Sequence, residues 1–218
     1  MIAVVGSINL DIVARVDRHP RGGETLMADS HETAHGGKGA NQAVAAARLG
    51  APVAFVGCVG ADAAGDELSR GLASEGIDVG HLGTSASPTG TALIVLDSAG
   101  ENTIVVAAGA NADVSIGDDE SAFLEGAEIL MCQLEIPLPA VIDAMSVGAG
   151  TVILNAAPAA RLPDEVFDQV DYLIVNEHEL DLSIGRATHD AVRERGLKAV
   201  VTTLGAEGAR VVTASDVG

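Results

Sequence analysis

Short apolar runs of strand length alternate with longer stretches of helical period along most of this chain. Ile2 to Val5 reads as a buried strand, Ala40 to Leu49 as an alanine-rich helix stopped by Gly50, Val53 to Val59 as a second strand, and about Gly65 to Ser74 as a helix stopped by Gly76. The pattern resumes with strands over Ile129 to Leu134, Val152 to Leu154, Tyr172 to Val175 and Ala199 to Thr203, with a helix over Leu138 to Val147 and a helical stretch before Lys198. Strands alternating with helices predict an α/β fold with a mainly parallel central sheet. Ligands of such sheets bind beyond the carboxyl ends of the strands.

Two segments break the alternation. Ile12 to Val16, and Thr91 to Asp97 with Asn102 to Val106, are strand-like without intervening helices, and the second pair closes as a hairpin around Ser98-Ala99-Gly100-Glu101. They predict a small antiparallel sheet projecting from the main one as a lid.

Composition narrows the class. Of the 218 residues, 48% are hydrophobic but only 2% aromatic, so the core is built of Ala, Val, Leu and Ile, the usual filling between helices and a parallel sheet. The formal charge of −19 repels a nucleic-acid backbone and excludes that partner. Cys58 and Cys132 sit inside apolar runs with no C-x-x-C spacing and read as buried free thiols. The chain opens directly on a strand, and no apolar run reaches the ~18 residues of a membrane span. The compartment expected is the cytoplasm, with no membrane partner.

Candidate chemistry falls where the strands end. His35-Gly36-Gly37-Lys38-Gly39-Ala40-Asn41-Gln42 opens a helix, so its backbone N–H groups are expected to point outward at a ligand. It is not a Walker A loop, because Glu32 stands where Gly is needed and Gly39 where Ser or Thr is needed. Asn9 and Asp11 follow the first strand, and a spacing of two puts both side chains on one face of extended chain, where each can hold a sugar hydroxyl. Glu135 follows Ile129 to Leu134. Asn176 and Glu179 follow Tyr172 to Val175 and read either as a helix-start capping box or as groups that orient water around magnesium. Thr203-Leu204-Gly205-Ala206-Glu207-Gly208 returns into Arg210 to Thr213, as a phosphate-contacting loop or a plain hairpin.

Taken in order, Gly6-Ser7-Ile8-Asn9-Leu10-Asp11, Gly36 to Ala43, Gly60 to Gly65, Ala108-Gly109-Ala110-Asn111, Gln133-Leu134-Glu135, Asn155-Ala156-Ala157-Pro158, Asn176 to Glu179 and Thr203 to Gly208 resemble the ribokinase-like members of the PfkB sugar-kinase family. The resemblance covers essentially the whole chain. It implies a ribokinase-like three-layer fold over residues 1–218 as one incomplete α/β domain, with lid strands from about 12–34 and 89–107. It implies ATP-dependent phosphorylation of ribose at the 5-hydroxyl, with Asn9, Asp11, Gly37, Lys38, Gly39, Asn41 and Glu135 holding the sugar. Asn176, Thr203, Leu204, Gly205, Ala206, Glu207 and Gly208 would hold ATP, Glu179 would place Mg2+ through water, and the lid would pair two subunits. Alternatives within the resemblance are another sugar or a nucleoside as substrate, or a sugar-binding protein without turnover.

Similar kinases continue into a Gly-Ala-Gly-Asp segment that supplies an anion hole, a general base and, nearby, a monovalent-cation (K+) loop. No such segment occurs in these 218 residues. The catalytic aspartate that the resemblance implies would therefore lie beyond Gly218, and no residue of the chain is expected to take its role. The expectation is that this chain binds weakly and turns over negligibly, and that apolar strand faces at Ala199 to Val201 and Val211-Val212 are left exposed. The turn Gly148-Ala149-Gly150 and the stretch from Glu179 to Lys198 also read as shortened.

Overall fold

The computed structural model describes residues 1–147 and 150–214. Gly148 and Ala149, in the turn expected to be shortened, lie outside the described residues, and so does Gly218. Among the described residues eight strands form the main sheet: β1 (Ile2–Val5), β4 (Val53–Gly60), β5 (Asp78–Ser85), β8 (Ile129–Gln133), β9 (Thr151–Asn155), β10 (Tyr172–Asn176), β11 (Ala199–Thr203) and β12 (Ala209–Thr213). Four more make a second sheet: β2 (Asn9–Arg15), β3 (Ser30–Gly36), β6 (Thr91–Leu96) and β7 (Asn102–Ala107). The helices are α1 (Lys38–Arg48), α2 (Ala63–Ser74), α3 (Asp118–Leu124), α4 (Leu138–Ser146), α5 (Asp164–Phe167), α6 (Glu177–Ser183) and α7 (His189–Glu194).

The main sheet runs β12-β11-β10-β9-β8-β1-β4-β5, parallel except for the β11–β12 hairpin. The chain therefore winds outward from β1 in one direction through β4 and β5, and later in the other from β8. The strand order reverses between β1 and β8, which is where doubly wound sheets open a crevice.

Alternation along β1 divides the core into two layers. Val4 joins Phe55, Ala40, Ala43, Leu68 and Leu72 under α1 and α2. Ala3 and Val5 join Leu130, Cys132, Leu124, Ala140, Val141 and Phe167 under α3, α4 and α5. All eight residues of β4 are buried, as a strand covered on both faces requires. Helix ends follow local chemistry: Asp62 caps α2 by accepting from Gly65 N–H at 2.8 Å, and Gly50 and Gly76 take φ of 90° and 79° just past α1 and α2. Both cysteines are free and buried, and burial pushes the Cys132 thiol up to about 12.

Three expectations need correction, and two elements went unread. The lid sheet is not purely antiparallel, because β2 and β6 pair in parallel at its centre. Helix α1 begins two residues earlier than its alanine run. Strand β5 and helix α3 were not legible in the periodicity. The sheet end at β11 and β12 is better covered than expected: Ala199, Val200 and Val212 are buried with Val192 and Leu197 around α7, while Val211 is 60% exposed.

Candidate functional site

The glycine run enters α1 against the ends of β1 and β8, and its contacts overturn one expectation. None of the first four N–H groups of α1 is turned outward. Lys38 N–H donates to Glu135 Oε2 at 2.9 Å, Gly39 N–H to Ser7 Oγ at 3.3 Å, Ala40 N–H to Ser7 O at 2.9 Å and Asn41 N–H to Gly37 O at 2.9 Å. The protein's own serine and carboxylate occupy the helix start that a ligand would otherwise take, a favourable place for a negative charge. Glycines are needed for that closeness. Gly37 has φ of 90°, and a Cβ there would come within 2.7 Å of Ile8 Cα; one on Gly39 would come within 2.7 Å of Ser7 N.

Ser7, missed by the sequence reading as a site residue, is fully buried and donates to Glu135 Oε2 at 2.5 Å. With Oε2 held twice, Oε1 is the end of Glu135 left for a ligand, and Lys38 Nζ lies 4.0 Å from it. Asp11 reaches the same place from β2. Its carboxylate occupies the space that a side chain on Gly36 would fill, 2.2–2.3 Å from an ideal Cβ there. Asp11 Oδ1 is buried and has no hydrogen-bond partner among the described residues. Burial, and then the charge of Glu135, hold the Asp11 carboxyl above the usual carboxylate range.

These groups converge. Asn9, Asp11, Gly37, Lys38, Asn41 and Glu135 line one cleft of about 230 Å³ together with Ala92, Ile94, Ile104 and Val106 of the lid sheet. Gly39 lies behind it, buried against Ser7. The lid face could be read from the alternation of β6 and β7. Two buried amide groups could not: Asn111, bonded to Asn9 Oδ1 at 2.7 Å, and Gln133, whose Nε2 donates to Gln42 Oε1 at 2.6 Å while Gln42 Nε2 donates to Asn155 Oδ1 at 3.2 Å. Both stand in motifs singled out from the sequence, but only burial distinguishes them from loop polar residues.

Further along the same edge, beyond β10 and β11, Asn176, Thr203, Leu204 and Gly205 line an open cleft with Glu177 and His178. Ala206, Glu207 and Gly208 complete its loop but do not line it. Three N–H groups expected to face a phosphate are bonded inside the loop: Leu204 to Gly208 O, Glu207 to Leu204 O and Gly208 to Gly205 O. Asn176 and Glu179 form the capping box of α6, with Glu179 N–H donating to Asn176 Oδ1 and Asn176 N–H to Glu179 Oε2, both at 2.8 Å. Among the described residues no cluster of three His, Cys, Asp or Glu side chains could hold a metal ion, and no helix is long and apolar enough to cross a membrane.

A lidded polar cleft at the switch point of a doubly wound sheet, with a second cleft on the same edge, is the layout of the ribokinase-like α/β fold. The chain belongs to the family described as pfkB family carbohydrate kinase, which matches residues 1–218. Within it the chain is similar to a ribokinase of Haemophilus influenzae, 40% identical over 222 residues that cover 95% of this chain and 72% of that one. Among solved structures it superposes on a ribokinase from Thermotoga maritima with a TM-score of 0.90 at 35% identity, covering 99% of this chain and 75% of the other. An Arabidopsis thaliana ribokinase complexed with ribose and ATP matches with a TM-score of 0.83 at 32% identity, covering 97% and 74%.

Proposed function

We propose that the lidded cleft binds D-ribose and the open cleft ATP, and that the protein's activity is transfer of a phosphoryl group to the ribose 5-hydroxyl. The observation that carries the reading is the convergence of Asn9, Asp11, Lys38, Asn41 and Glu135 on one cleft around the buried, unpartnered Asp11 Oδ1. Such an oxygen calls for a donor, and a sugar hydroxyl supplies one. Asp11 and Glu135 Oε1 accept from hydroxyls, Asn9 and Lys38 serve the sugar oxygens, and the aliphatic lid residues cover ring carbons and exclude water. The solved relative complexed with ribose and ATP supports both assignments.

ATP would meet Asn176 and the loop from Thr203 to Gly208, and its use goes with a cytoplasmic location. Magnesium keeps several waters and takes one or two carboxylates plus substrate phosphates; a single Glu179 with one oxygen committed to its capping box fits a role through water. On the lid sheet Leu93 and Val105 are left at least half exposed, and we propose that this sheet pairs two copies of the chain.

Phosphoryl transfer depends on positioning and electrostatic stabilisation. A missing general base costs about 10²–10⁴ in rate and missing anion-hole amides roughly 10²–10³ more. These 218 residues alone are therefore expected to turn over negligibly, and any K+ dependence of catalysis would need a loop they do not hold. ADP release with ribose and ATP tests this: a rate below detection is expected, and about 1–100 s⁻¹, typical of kinases, would overturn it. Melting-temperature shifts with ribose, fructose and adenosine test the substrate. A shift with ribose that exceeds the others is expected, and none with ribose contradicts the assignment.

A further inference from the structure

Asn111 lies behind Asn9, one step removed from the cleft. It is 1% exposed and Asn9 3%. Ile8 N–H donates to Asn111 Oδ1 at 2.9 Å, and Asn111 Nδ2 donates to Ile8 O at 3.1 Å. A backbone N–H can only donate and a carbonyl can only accept, so the two ends of the Asn111 amide cannot be exchanged. The second proton on Nδ2 then points at the neighbouring oxygen, Asn9 Oδ1, 2.7 Å away. Asn9 must be an acceptor on that side.

We infer that Asn111 is a positioning residue that fixes the Asn9 amide with its NH2 end toward the cleft, making Asn9 a hydrogen-bond donor to the sugar. Gly90 keeps the space for this bridge, because a Cβ there would lie 2.2 Å from Asn111 Nδ2 and 2.4 Å from Asn9 Oδ1. The polarity of the cleft is then set at both ends of one short strand segment. Asn9 donates and Asp11, two residues on and on the same face, accepts. Two adjacent sugar hydroxyls can satisfy the pair together, one accepting from Asn9 and the other donating to Asp11.

The inference rests on the reading that this cleft takes ribose. Its test is a double-mutant cycle on ribose affinity, measured by calorimetry with the 218-residue chain, in which the single substitutions Asn9→Ala and Asn111→Ala and their combination are compared. Each single change is expected to weaken ribose about three- to tenfold, the range of one hydrogen bond. Because Asn111 acts through Asn9, the double variant should bind no more weakly than Asn9→Ala. If Asn111→Ala costs the same factor with and without the Asn9 side chain, its role is general to the fold and the inference is overturned. Asn111→Asp serves where the alanine variant does not fold. It keeps an acceptor for Ile8 N–H but sets an oxygen against both Asn9 Oδ1 and Ile8 O, so it should weaken ribose by a larger factor with Asn9 present than in the Asn9→Ala background, where only the Ile8 contact is lost; an equal loss in both backgrounds overturns the inference. No ribose binding by the unmodified chain removes the underlying reading itself, and so is distinct from an additive cycle.

Discussion

Asp11 carries a conflict that the fold tolerates for function. Its carboxylate is partly desolvated beside a second carboxylate, and burial followed by the Glu135 charge raises its pKa. A raised carboxyl pKa means that the folded chain holds the proton to higher pH than the unfolded one. Its contribution to stability is therefore favourable while protonated and is lost as pH rises from the ordinary aspartate range through the raised value. Asp11→Asn should increase the melting temperature at pH 7, remove that pH dependence, and weaken ribose by about 10–100-fold, the loss of a hydrogen bond to a charged group. Unchanged ribose affinity in this variant would exclude Asp11 from the sugar site. The spacing of Asn9 and Asp11 made their shared face legible in the sequence. That Ser7 and Glu135 would consume the first amides of the glycine-led helix was not, because those partners arrive from 128 residues apart and leave no local trace.

Among the elements, the glycine run acts through absence of side chains more than through free amides. Gly37 sits at positive φ with the backbone of Ser7, Ile8 and Asn9 within 2.9 Å of where a Cβ would stand, so Gly37→Ala should destabilise the chain by about 2–3 kcal/mol, read in denaturant melts, and ribose binding should fall with it. A variant of unchanged stability would mean that the segment from Ser7 to Asn9 and the start of α1 are not packed this closely. The central strands and first two helices followed from apolar period, since strands buried on both faces are continuous apolar runs. Strand β5 escaped because Asp78–Ser85 is largely polar or glycine, as a strand at the end of the sheet, paired with β4, can be. The parallel pairing of β2 with β6 also escaped, because contact between strands far apart in sequence is decided by where the main sheet delivers them, not by any pattern within either strand.

At the scale of the molecule, the lid has two faces. Ala92, Ile94, Ile104 and Val106 turn to the cleft, so alternation sets the paired residues Leu93 and Val105, 50% and 61% exposed, on the opposite one. Exposed aliphatics on a sheet that ends in an edge strand mark an interaction surface. The chain is expected to sediment as a dimer, and Leu93→Asp with Val105→Asp as a monomer; a dimer that survives both changes would place the contact elsewhere. The claim on which the rest depends is that the switch point between β1 and β8 is a sugar site. Calorimetric titration of ribose into the folded 218-residue chain tests it most directly. Saturable binding at one site per chain is the predicted result, and a folded chain that gives no binding heat at saturating ribose would contradict it.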